Sequence, residues 1–181
     1  MANSPLVSYT KLSPNHSGIR THAIDRITPH AVVGQLSVER ICDCFKDRSR
    51  KASCNYAIGA DGRIGLCVDE QNRSWCSSSR DNDQRAVTIE CASDLTELYA
   101  MKPEVYSALV DLCVDICRRN GKKRLVWIAD REKALTYTVK SDEMLLTVHR
   151  WFAKKSCPGN WLFERMGRLA DADEVNGKLG V

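Results

Sequence analysis

The sequence predicts a single α/β domain, on three observations. Two strand-like stretches, 53–58 and 64–68, flank Gly59-Ala60-Asp61-Gly62, whose Asp-Gly step favours a tight turn and so a β-hairpin. Residues 86–91 alternate Val87, Ile89 and Cys91 with Thr88 and Glu90, the period of a strand with one apolar face and one face carrying a carboxylate. An amphipathic segment runs from Pro103 to Asn120-Gly121, with proline suited to a first helical turn and glycine to a C-terminal cap.

The other elements are read in chain order. The first 28 or so residues mix Ser, Pro, Asn and Gly and read as an irregular arm with one short strand near His22-Ala23-Ile24. The arm delivers Thr28-Pro29-His30 to the body. Ser37 before Val38-Glu39-Arg40-Ile41 has the pattern of an N-cap followed by an acid in the first turn, so a helix is expected to about Lys46. Residues 71–84 are polar around Trp75 and read as a loop. Leu125 to Ala129 reads as a short strand, Ser141 as the cap of a helix running toward Phe152, and Trp161 to Ala170 as a last helix. The domain is placed at 1–175, with 176–181 a polar tail that could open a linker.

Composition bounds the function. The chain has 181 residues, 43% hydrophobic and 28% charged, which suits one compact domain. Its formal charge of +4 is modest, and only Lys122-Lys123-Arg124 forms a basic run, so no nucleic-acid partner is expected. No stretch approaches the roughly 20 apolar residues of a membrane helix, and the start, Met-Ala-Asn-Ser-Pro, lacks the features of a secretory signal. The expectation is a chain made in a cytosol, its oligomeric state open with a monomer favoured, where most of its nine dispersed cysteines stay thiols. Cys113 and Cys117, four apart on the long helix, read as small buried hydrophobes.

The chemistry is concentrated in the C-terminal third. His149 and Cys157 bracket a short segment, Arg150 to Ser156, and Cys157 opens a Cys-Pro-Gly turn. A neutral imidazole and a thiolate both suit a borderline-soft divalent ion such as zinc, and His30, held after Pro29, is the natural third ligand. His16 and His22 read as ordinary side chains.

These motifs, in their order along the chain, resemble the type 2 N-acetylmuramoyl-L-alanine amidases, a family that includes phage endolysins and peptidoglycan recognition proteins. The matching features are Thr28-Pro29-His30 followed by a helix, the hairpin Ser53 to Gly62, Ser74-Trp75, Val87-Thr88-Ile89-Glu90, and His149 with Cys157-Pro158-Gly159. The resemblance implies a mixed β-sheet flanked by helices, a shallow groove, and one zinc ion held by His30, His149 and Cys157. It implies Glu90 as the group that takes a proton from water and returns it to the leaving amine, and Lys155 as a stabiliser of the oxyanion. The substrate would be peptidoglycan, cut between N-acetylmuramic acid and L-alanine. An endolysin stored in a host cytoplasm and acting on the wall after release is the expected setting.

Asn55, Trp75, Arg80 and Asn82 are the expected substrate contacts: an indole packs on a sugar or lactyl group, and the polar groups meet peptide carbonyls and carboxylates. Two positions depart from the family pattern. Cys54 stands where several branches have a tyrosine, and Cys76 where many members have a histidine that supports the site. Other readings stay open: a recognition module that binds without cutting, a cysteine peptidase using Cys157 and His149, and a structural zinc protein.

Overall fold

The computed structural model describes residues 2–171 and 173–181. The first half holds strands β1 (Val7–Thr10), β2 (His16–Ile19) and β3 (Arg26–Ala31), helix α1 (Val38–Asp43), and strands β4 (Tyr56–Ile58), β5 (Ile64–Leu66) and β6 (Asn72–Ser74). Then come helix α2 (Arg80–Arg85), strand β7 (Ala86–Cys91), helix α3 (Pro103–Arg119), strand β8 (Arg124–Val126), helix α4 (Arg131–Thr136) and strand β9 (Glu143–Leu146). Three short helices close the chain: α5 (Asn160–Phe163), α6 (Met166–Leu169) and α7 (Val175–Leu179).

Seven strands form one mixed sheet in the order β1-β5-β4-β7-β3-β9-β8, and β2 pairs with β6 in a small second sheet. Within the large sheet only the β4–β5 hairpin is antiparallel. This is the expected α/β domain with a mixed sheet flanked by helices. The hairpin turns where Asp-Gly predicted it, with Gly62 at φ +82°, a backbone state that glycine reaches without steric cost. Helix α1 starts on Ser37, whose side chain accepts from the Arg40 amide, and α3 opens on Pro103 and buries Cys113 and Cys117 completely.

α1 lies close on the hairpin because β5 has a glycine at its centre. A Cβ built on Gly65 would come 2.6 Å from Val38 Cγ2 and 3.0 Å from Cys42 Sγ, both on α1. Gly65→Ala therefore forces the buried helix off the sheet and is expected to cost about 1–3 kcal/mol, read as a lower denaturant midpoint in chemical unfolding.

Four readings are corrected. No strand forms at 22–24; the arm contributes β1 and β2 instead. The polar stretch 71–84 is partly ordered as β6 and α2, the latter capped by Ser79, whose hydroxyl accepts from the Asn82 amide at 3.2 Å. The segment after Ser141 is the parallel strand β9, in register with β3 at Arg26↔Leu145 and Ile27↔Leu146, so His149 lies on a 3-10 turn, His149–Trp151, and not on an α-helix. Met144, Leu145 and Leu146 are all buried, and a strand covered on both faces shows a continuous apolar run that periodicity cannot tell from a short buried helix. The last expected helix is broken into α5 and α6.

The segment expected as a polar tail, 176–181, holds most of α7, which packs on α3 and β8. Asn176 uses its amide like a strand neighbour: Oδ1 accepts from Leu125 N at 2.7 Å and Nδ2 donates to Leu125 O at 2.9 Å. This covers main-chain groups of the edge strand β8 that would otherwise lack partners.

Candidate active site and metal centre

His30 and Glu90 are brought side by side by the sheet. β3 and β7 run parallel with His30 paired to Glu90, so both side chains leave the same face near the carboxyl ends of the strands. The 3-10 turn that follows β9 then presents His149, and Arg150 N donates to Cys157 O at 3.1 Å, folding the next segment back over β3. Cys157 Sγ lies 3.3 Å from His30 Nδ1, and the His30 and His149 rings meet edge to face at 5.1 Å between centroids. Donor atoms of His30, His149 and Cys157 all fall within 4.8 Å of one another. These three residues could hold a metal ion.

Orientation and protonation fit that use. Ser78 Oγ is 2.9 Å from His149 Nε2 and holds the ring beside the cluster. Burial, then the neighbouring His149, lowers the His30 pKa to about 3, and burial with the Lys155 ammonium lowers that of His149. Both rings are thus neutral at pH 7, the form that ligates metals. Burial and then the nearby Glu90 push the Cys157 thiol up, so an ion held there would have to displace its proton. Two imidazoles and one thiolate form a donor set suited to zinc.

Glu90 borders the same centre. Its pKa is raised to about 7, by burial first, with the Cys76 thiol and Arg50 pulling it down. Cys76 Sγ is 3.8 Å from Glu90 Oε1, while Glu90 Oε2 is buried with no partner among the described residues. A groove of about 980 Å³ opens over this floor, lined by Trp75, Cys76, Arg80, Glu90, Lys155 and Cys157 among others.

Two expected substrate contacts are corrected, since Asn55 and Asn82 are wholly buried and do not line the groove. Asn55 Oδ1 accepts from Thr88 N at 3.1 Å and Arg20 Nη2 at 2.9 Å, and its Nδ2 faces the Val68, Asp69 and Asn72 carbonyls. Asn82 Nδ2 donates to Thr28 Oγ1 at 3.0 Å, and its Oδ1 accepts from Thr147 Oγ1 at 3.1 Å. Thr28 and Thr147 each stand two residues before a histidine of the cluster, so Asn82 ties together the two segments that carry His30 and His149. Ser78 was not anticipated; it is one of three consecutive serines, and nothing local marks which of them faces a ring nitrogen.

A family model for N-acetylmuramoyl-L-alanine amidase matches residues 20–160. The chain belongs to this family of peptidoglycan amidases. Among solved structures it is similar to PlyL, at 15% identity over 93% of this chain and 97% of that one, with a TM-score of 0.58. A mutant endolysin from Bacillus subtilis matches at 13% identity over 94% and 97%, with a TM-score of 0.62. The endolysin N-acetylmuramoyl-L-alanine amidase LysCS from Clostridium intestinale URNW matches at 16% identity over 93% and 97%, with a TM-score of 0.59. At these identities the likeness establishes the fold. No curated protein matches the sequence.

Proposed function

We propose that the protein is a zinc-dependent N-acetylmuramoyl-L-alanine amidase acting as an endolysin, with His30, His149 and Cys157 as ligands. The observation that carries this reading is the convergence of those donors within 4.8 Å on the floor of a groove that Glu90 also borders. Bound there, zinc supplies Lewis acidity toward the amide carbonyl and toward water. The likeness in fold to endolysins supports a wall-degrading role, with the chain held in a host cytoplasm until release. Among the described residues no helix is long and apolar enough to cross a membrane.

The chain's own groups supply the rest of the chemistry. Glu90 accepts the proton of the attacking water and passes it to the leaving amine; a carboxyl with a pKa of about 7 can do both near neutrality. Lys155, on the groove wall, places an ammonium toward the carbonyl oxygen as negative charge develops there. Trp75 offers its indole to the sugar or lactyl group, its Nε1 anchored on Ser17 Oγ at 2.6 Å, and Arg80 meets carboxylates of the stem peptide.

Purified protein is expected to carry about one zinc ion per chain; chelation should abolish wall lysis, and added zinc restore it. Mass spectrometry of the digest should show free L-alanine amino ends and no new reducing sugars. Lysis that survives thorough chelation would point instead to Cys157 as a nucleophile, an alternative that its 3.3 Å contact with His30 keeps worth testing.

A further inference from the structure

Cys76 is a second thiol at the metal centre, and three observations give it a partner set. Its Sγ, one ring nitrogen of His30 and a carboxylate oxygen of Glu90 lie within 4.8 Å of one another. Two members of that set hold buried atoms with no partner among the described residues, His30 Nε2 and Glu90 Oε2, and His30 is only 1% exposed. Cys76 and Glu90 both line the groove, so an ion has a path from solvent.

We propose that His30, Cys76 and Glu90 form a second zinc site, filled when free zinc exceeds what the first site takes up, and that filling it switches off hydrolysis. The switch rests on the amidase reading above. His30 Nδ1 faces Cys157, and its Nε2 is buried with no partner among the described residues, so the second set would draw on Nε2. Zinc–ligand distances of about 2.0–2.3 Å put tetrahedral donors roughly 3.4–3.8 Å apart, and Cys76 Sγ to Glu90 Oε1 is already 3.8 Å. The Cys76 backbone is fixed as well, its amide donating to Asp83 Oδ2 at 3.0 Å.

The charges balance. The thiol gives up its proton to solvent, and a thiolate with a carboxylate neutralises the ion's two charges, which a buried site requires. With both sites filled, His30 would serve both ions, one nitrogen to each, and its remaining ring proton would also leave to solvent. Glu90, once a ligand, shares its negative charge with the second ion and becomes too weakly basic to take the proton of the attacking water.

The test is ion counting by native mass spectrometry beside wall hydrolysis, at equimolar and excess zinc, for the wild type, Cys76→Ala and His149→Ala. The wild type is expected to hold one ion at equimolar zinc and two in excess, losing most of its activity with the second. Cys76→Ala should hold one ion throughout, and whatever activity it has at equimolar zinc should persist in excess. His149→Ala, its first set broken, should still take an ion in excess zinc through the second set, read without reference to activity. A wild type that stays at one ion, or a Cys76→Ala chain that still takes up a second, overturns the assignment. Two bound ions with unimpaired hydrolysis would refute the switch. A wild type that binds no zinc at all would instead refute the first site, and the proposed function with it.

Discussion

Cys157→Ser is expected to give a folded chain that neither retains zinc nor hydrolyses peptidoglycan. The sulfur ends a segment anchored by the Arg150 N to Cys157 O hydrogen bond, so the backbone should hold its course when only the side-chain atom changes. What changes is ionisation: burial and Glu90 already push the thiol up, and only a metal ion makes the thiolate the stable form. A serine hydroxyl does not ionise in that way, and His30 and His149 alone leave the ion two protein ligands. Metal analysis after dialysis should show zinc lost, turbidity of wall suspensions should stay constant, and circular dichroism should be unchanged. Cys113→Ala is the control. That thiol is buried within α3, so its removal should cost stability on the order of 1 kcal/mol and leave hydrolysis intact. Full zinc content and activity in Cys157→Ser would take Cys157 out of the ligand set.

The elements legible in the sequence are those whose signals are local. The Asp-Gly hairpin, the Ser37 cap and the Pro103 to Gly121 helix each carry their own start and stop, and each forms where expected. β9 was misread because its identity depends on β3 and β8 on either side, and Met144-Leu145-Leu146 has no period of its own. The strand reading of 86–91 was right in type, but its polar face is not exposed. Thr88 is fully buried, its hydroxyl 2.7 Å from Ser74 Oγ, because β7 is a central strand with structure on both faces.

The site divides in the same way. The convergence of His30, His149 and Cys157 was legible because residue type and motif order point to one cluster without any knowledge of packing. Asn55 and Asn82 were misplaced because a polar side chain near a groove in sequence can turn either way, and here both turn inward to satisfy buried backbone and hydroxyl groups. Ser78 and the closeness of Cys76 to Glu90 rest on contacts across 71 and 14 residues, which no local pattern encodes.

Glu90→Gln separates proton transfer from metal binding. Glutamine keeps the length and shape of the side chain and can still accept a hydrogen bond, but it cannot take a proton from water. Burial disfavours the charged carboxylate, so exchanging it for a neutral amide removes little native interaction. Oε2 has no partner among the described residues, so an amide in its place breaks no hydrogen bond seen there. Stability should therefore change little, and His30, His149 and Cys157 should keep the zinc. Turnover should suffer alone: general acid-base catalysis contributes about a hundredfold to ten-thousandfold, so kcat should fall within that range while binding of wall fragments stays near normal. The measurements are steady-state hydrolysis of a defined muropeptide, zinc content of the same sample, and its melting temperature. A variant with near-normal kcat would show Glu90 to be a bystander and move proton handling to Lys155 or to solvent. Loss of zinc in the variant would mean instead that the carboxylate supports the ligand cluster, since His30 lies beside it in the sheet register.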